Sequence, residues 1–483
     1  MYVQLLLHDF GVFMKKNVSS RSTTQKALKI NLDEKKYGTI VEIGAGQEVA
    51  RQFFLAGAAA GTIAKTMSAY DMKFSDAIYG VEKSRRYVSK ARVQSMMETE
   101  FQLVIDRVGS VRAKSTRYFA YATTVQAKSF NRDNECHAWC GVRLQMYPGA
   151  EPSEVIIHVR MRDKTAELQQ EALGIIGVNL IYAAYYYPES TKDLIDSLTD
   201  NIASDRIEID CINFSGPYFE DVDNREVNLH LIRCWKTRAI MFNSDGTVAV
   251  PAEMLYKKNV LTTRGSFQPA TKLNVDMIEQ GLNSFTQQKG VSRENTVAIA
   301  EISLNDARGN DLNVSKKDLI ERVQLLNSLG YSVLISDYTR YFSLREYFRQ
   351  YTQLQIGIVV GMININSIFD EESYRGVEGG ILEGFGKLFP DNTRMYIYPE
   401  MSEEGDVREF TSVTVPSHLR FLYRHLLENN FLFGIETSDP ELFKIHSRDV
   451  LKHIQSGGSG WEDHLPDGAA EKIISGGLFN YKA

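Results

Sequence analysis

Five chemically capable residues crowd into one short stretch, NECHAWCGVR from Asn134 to Arg143: Glu135, Cys136, His137, Cys140 and Arg143. A thiol beside an imidazole has the ingredients of an activated nucleophile, and an imidazole or carboxylate can act as a general acid or base. Side chains alternate along a strand, so a strand here puts Cys136 and Cys140 on one face and Glu135 and His137 on the other. That separates thiol from imidazole and leaves His137 or Glu135 as the acid–base candidate. Cys-x3-Cys without a second pair is a poor zinc motif, and no metal is assigned. In HVRMRD, His158, Arg160 and Arg162 alternate and share one side, a cationic face suited to an anionic ligand or a buried acidic partner.

A second kind of site uses main-chain donors. In GTIVEIGAGQEVARQFFLAG an apolar run meets a Gly-Ala-Gly turn and then a helical pattern. Such corners expose N–H groups at a helix start, where negative charge is favoured. Glu42, Gly44 and Gly46 are therefore candidate ligand-binding positions; the alternative is a glycine turn that only packs the helix closely. Lys65 and Thr66, with Ser68, Tyr70 and Asp71, follow on a small-residue surface. Lysine with hydroxyls can hold a phosphate, although the Gly-x4-Gly-Lys-Ser/Thr order is missing. Asp71 joins Glu135 and His137 as a catalytic candidate. Gly379 and Gly380 open another helix with Arg375 nearby, a further anion-binding corner. Glu220, Asp221 and Asp223 form an acidic loop that either takes Mg²⁺ or is simply solvated.

These residues must be positioned by strands and helices. Short β-rich apolar runs such as TIVEI, EVIIHVRMRD, TVAIAEI, YSVLISD and QIGIVVGM alternate with helical patterns such as KKDLIERVQLLNSLG. That alternation predicts an α/β fold, multi-domain, with mainly parallel sheets flanked by helices and an N-terminal arm. The expected divisions are an arm over 1–35, α/β regions over 36–150 and 151–290, a C-terminal α/β domain over 291–410, and a helix with an irregular tail over 411–483. TQQKGVSREN, Thr286 to Asn295, is the expected linker. ALGIIGVNLIYAAYYY reads as a buried helix, too short and interrupted to span a bilayer.

The 483 residues exceed what one core holds, so two or three domains are expected. A net charge of −6, from 55 basic and 61 acidic residues, argues against a protein built mainly to hold nucleic acid. Four cysteines are too few for a disulfide scaffold and fit a reducing cytosol. No signal peptide is expected from the N-terminal sequence.

VEIGAGQEVA resembles the first motif of S-adenosylmethionine-dependent methyltransferases, acidic-x-Gly-x-Gly, at Glu42, Gly44 and Gly46. It departs at Gln47 and Glu48, where that family commonly has a further glycine. Over most of its length the chain resembles an uncharacterised bacterial cytosolic family. GQEVARQFFLAGAAAGTIAKTMSAYDMKFSDAIYG, EALGIIGVNLIYAAYYY and GGILEGFGKLF carry that resemblance. Members carry two labels, nicotinate-nucleotide adenylyltransferase and outer-membrane receptor. The first class binds triphosphate through His-x-Gly-His, which the chain lacks. The second needs a signal peptide and many amphipathic strands, and neither is visible.

Together these features lead to a cytoplasmic, enzyme-like protein that binds or acts on a nucleotide-like or phosphorylated small molecule. Lys65 or Arg160 would be the charge partner. A self-assembling scaffold, a methyltransferase and a nucleotidyltransferase are the alternatives. The 24 Tyr and 24 Phe could serve homo-oligomer contacts. No membrane partner is expected, and the cofactor is unknown.

Overall fold

The computed structural model describes residues 21–44, 46–82, 86–128, 135–304, 315–402 and 406–482. Asn134 and most of the expected N-terminal arm lie outside them. The chain forms two compact units: Met1–Glu208 with Asn213–Asp221, and Ile209–Ile212 with Val222–Ala483. The division therefore falls near residues 209–222 rather than at 150 and 290.

The first unit runs α1 (Thr23–Asn31), β1 (Lys36–Ile43), α2 (Glu48–Ala56), β2 (Ile63–Met67), α3 (Met72–Tyr79), α4 (Lys90–Val108), β3 (Arg117–Gln126), β4 (His137–Leu144), β5 (Ser153–Met161), α5 (Ala166–Tyr186), α6 (Thr191–Ser197) and β6 (Ile207–Ser215). Six strands line up as β2-β1-β3-β4-β5-β6. β2, β1 and β3 are parallel, while β4 runs antiparallel between β3 and β5. β1, β3 and β5 thus end at one edge, and β4 begins there. α1 is capped by Ser22 and buries Ala27 and Ile30, so the end of the expected arm belongs to this core.

α4 covers one face of the sheet. Gly141 of β4 makes room for it: a Cβ there would meet Met97 and Val93 within 2.9 Å. α2 and α5 cover the other face. α5 is apolar on nearly every side, and most of its residues are buried, as expected for an enclosed helix. No helix among the described residues is long and apolar enough to cross a membrane.

The second unit continues with α7 (Asn224–Arg233), β7 (Ala239–Phe242), β8 (Val248–Ala249), α8 (Pro251–Met254), β9 (Asn259–Arg264), α9 (Lys272–Phe285), β10 (Thr296–Ser303), α10 (Lys316–Ser328), β11 (Ser332–Ser336), α11 (Tyr341–Arg349), β12 (Ile356–Gly361), α12 (Met362–Ile368), α13 (Gly380–Leu388), β13 (Thr393–Tyr398), the two-residue strands β14 (Glu400–Met401) and β15 (Val407–Arg408), and β16 (Leu432–Gly434). Its eight-stranded sheet has the order β16-β13-β12-β9-β10-β11-β7-β8. The first six of these are parallel, and β7 and β8 close one edge in antiparallel fashion. Numbered along the chain, the parallel strands follow 3-2-1-4-5-6, the doubly wound order with its reversal between β9 and β12. The expected linker, Thr286–Asn295, is the turn joining α9 to β10 inside this unit. Both architectures are α/β with mostly parallel sheets flanked by helices, as the strand–helix alternation predicts.

Candidate functional site

At the edge of the first sheet where β3 and β5 end, residues from three strands converge. Register pairs His137 with Arg160 and Trp139 with His158 across β4 and β5, and Trp139 with Thr124 across β3 and β4. Alternation puts all five on the α4 face. His137 Nδ1 lies 2.9 Å from His158 Nε2, and the Trp139 ring packs on His158 at 4.9 Å. Arg160 reaches Glu135 at 3.4 Å and Glu208 at 3.1 Å, and Arg162 shares Glu208 at 2.8 Å. Glu208 is buried, while Arg162 is about half exposed. Two carboxylates, Glu135 and Glu208, thus face two guanidiniums, and Arg162 keeps part of its fork in solvent.

Two tautomeric arrangements satisfy the histidine pair. If His137 donates through Nδ1, its Nε2 is an acceptor; if His158 donates, His137 Nε2 carries the proton. The pair can therefore pass a proton between an outer position and the buried ring without separating charge. Burial, followed by His158, Arg160 and Arg86, holds the His137 pKa down to about 3, so the imidazole is neutral at pH 7. Trp139 Nε1 and Thr124 Oγ1 are buried beside the pair with no hydrogen-bond partner among the described residues. Such groups cost about 1–3 kcal/mol unless something bonds them.

The expected split of the cysteines holds for Cys140, which lies on the opposite face against Thr123 Oγ1 at 3.3 Å. Burial pushes its thiol up to about 11, which makes it a poor nucleophile.

The glycine corners differ from expectation. The Glu42 carboxylate accepts from the N–H groups of Val49 and Ala50, each at 3.0 Å, so the chain itself occupies the start of α2. Gly44 has φ +102°, and a Cβ there would fall 2.3 Å from the Val125 carbonyl oxygen. Close packing against β3 explains that glycine; Gly46, at φ +77°, faces open space. Lys65 is paired with Glu100 at 2.5 Å, and the Thr66 hydroxyl meets Gln47 at 3.4 Å. Asp71 is the N-cap of α3, accepting from Phe74 N at 2.9 Å. That cap hydrogen bond is what the structure shows for Asp71, which is not among the residues gathered around the histidine pair.

The second unit repeats the pattern. Gly379 N donates to Glu383 Oε2 at 2.8 Å, which fills the corner expected at Gly379 and Gly380. Glu301 accepts from both Arg264 and the Ser336 hydroxyl across the ends of β9, β10 and β11. In the acidic loop, Asp223 caps α7 and pairs with Arg225 at 2.6 Å.

Of the residues singled out from the sequence, the structure brings together Glu135, His137 and Arg160, and leaves Glu42, Lys65, Thr66, Asp71, Gly379 and Gly380 in separate, self-satisfied places. Trp139, Thr124 and Glu208 escaped notice. Trp139 could have been found, since it shares parity with His137; Thr124 and Glu208 depend on strand order.

No protein-family model matches the chain, and no curated protein is significantly similar. Several solved structures match the chain at low similarity. The nicotinic acid mononucleotide adenylyltransferase of Plasmodium falciparum, complexed with NaAD, is 13% identical with a TM-score of 0.30, over 47% of this chain and 98% of its own. The competence/damage inducible protein CihA of Agrobacterium tumefaciens is 14% identical with a TM-score of 0.25, over 34% and 96%. A CinA superfamily protein of Klebsiella pneumoniae is 15% identical with a TM-score of 0.27, over 35% and 99%. At these values none bears on activity.

Proposed function

We propose that the first unit binds an anionic small molecule, nucleotide-like or phosphorylated, where β3 and β5 end, and that His137 and His158 handle a proton there. The observation that carries this reading is the 2.9 Å bond between the two imidazoles at the edge where parallel strands finish. Arg160 and the half-exposed Arg162 supply guanidinium donors for which an arriving anion would compete with Glu135 and Glu208. Trp139 Nε1 and Thr124 Oγ1 are donors in search of a partner. A neutral imidazole suits hydrogen bonding to a ligand oxygen, and an arriving anion raises its pKa toward the range useful for acid–base work. The reading places the protein among cytosolic enzymes of unknown reaction.

The test is histidine-selective NMR with a panel of nucleotides and phosphosugars. His137 titrates far below neutral in the free protein, and a ligand moves its resonances and raises its midpoint. If no member of the panel perturbs His137 or raises the melting temperature, the reading is abandoned.

A second reading, self-association, is favoured by one observation. β2 is an edge strand, and Phe54, Leu55, Tyr70, Met72 and Phe74 on the neighbouring segments are all more than half exposed.

A further inference from the structure

The opposite edge of the same sheet, where β1 and β3 begin, carries a cleft of about 1140 Å³. Arg21, Lys29, Lys35 and Arg112 line it, and Leu28, Leu32 and Ala113 supply an apolar wall. None of the four cations has a carboxylate partner among the described residues. Arg21 Nη1 donates to Tyr182 Oη at 3.2 Å. Lys29 Nζ stands 3.9 Å above the centre of the Tyr186 ring. Arg112 lies 3.7 Å from the Tyr37 ring centre and donates to the Gly61 carbonyl oxygen at 3.3 Å. The Lys35 ammonium is exposed and makes no hydrogen bond or ion pair within the described residues.

The acids nearby do not offset this. Asp33 is held by Lys36 and, at 3.5 Å, by Arg117, which leaves Glu34 against four cations. Burial, then Arg21, pulls the Lys29 pKa below the usual lysine range. The like charge of Arg21 is the smaller of the two causes, and it adds to the uncompensated positive charge of the cleft. The volume lies slightly above the roughly 300–1,000 Å³ of most small-molecule sites, which leaves room for a ligand with linked phosphates. The cations come from α1 and the residue before its N-cap, from the turn into β1 and from the segment after α4, so they surround a concave space and form no stripe of the kind that tracks nucleic acid.

We propose that this cleft binds a small molecule carrying two or more linked phosphates, with Arg21, Lys29, Lys35 and Arg112 on the phosphates and the leucine wall against the remainder. Guanidinium forks grip phosphate oxygens in pairs, and ammonium groups add point charge. Cations on three segments reach further than a single phosphate. The site is separate from the histidine pair and does not rest on it.

Isothermal titration of the full chain near physiological salt, with inorganic tripolyphosphate, ATP and a single-stranded oligonucleotide as probes, decides the matter. Tripolyphosphate or ATP is expected to bind saturably at one site per chain. Lys29→Gln with Arg112→Gln should weaken that binding at least about tenfold. Lys35→Gln, a change at an exposed side chain that leaves the fold intact, should weaken it severalfold. The proposal is overturned by no saturable binding, by unchanged affinity in both variants, or by binding of the oligonucleotide alone. A probe that moves the His137 resonances yet binds Lys35→Gln undiminished belongs to the other edge and also overturns it.

Discussion

Glu42 and His137 are buried by the same sheet and titrate in opposite senses. Burial outweighs the two N–H bonds and raises Glu42 to about 7, so the folded protein holds a proton that the unfolded chain, with an ordinary carboxyl, releases near pH 4.5. Glu42 therefore contributes stability that is fully present below about pH 4.5 and lost as pH rises through about 7. The loss is roughly 3 kcal/mol at most for a shift of that size. His137 works the other way: the unfolded chain takes up a proton near pH 6.5 and the folded protein does not until about pH 3, so its contribution is lost as pH falls across that window. Urea unfolding of Glu42→Gln at pH 5 and pH 7.5 separates the two. The variant should lose less stability than the wild type on going to pH 7.5; an unchanged difference between the two pH values sinks this account of Glu42.

At the scale of elements, α5 is seated by its glycines. A Cβ on Gly177 would lie 2.3 Å from Val49 Cγ2 and 2.7 Å from Tyr121 Oη, and one on Gly174 would crowd Glu48. Alanine ordinarily favours a helix over glycine by about 1 kcal/mol. At Gly177 the overpacking cost of about 1–3 kcal/mol is expected to win, so Gly177→Ala should lower the urea midpoint. Gly386 is the control: it lies in α13, is exposed, and nothing stands within 4 Å of its added Cβ. Gly386→Ala should raise stability slightly. The same sign for both substitutions would mean that propensity, not packing, governs these helices.

For the whole molecule, the exposed apolar residues around β2 make a claim about assembly. Light scattering should find the full chain larger than a monomer, and Phe54→Glu with Phe74→Glu should reduce it to one. A monomer in both removes the self-association reading and leaves those residues as isolated surface apolar groups, which are common.

What the sequence determined by itself was local: the alternation of β-rich runs with helical patterns, the enclosed helix α5, and the parity that sets His137 apart from Cys140. Each follows from periodicity within about twenty residues. Tertiary structure alone decided that β4 lies antiparallel between β3 and β5, which carries His158 to His137, and that β6 lies beside β5, which carries Glu208 to Arg160. It also decided that the Glu42 carboxylate turns back onto the start of α2, whereas Glu383, four residues after Gly379, makes a local contact at the start of α13. The reason is physical. A buried main-chain donor must find an acceptor, and whether that acceptor is a guest or a carboxylate of the same chain depends on which segments the fold brings within 3 Å, a distance that spacing along the chain does not encode.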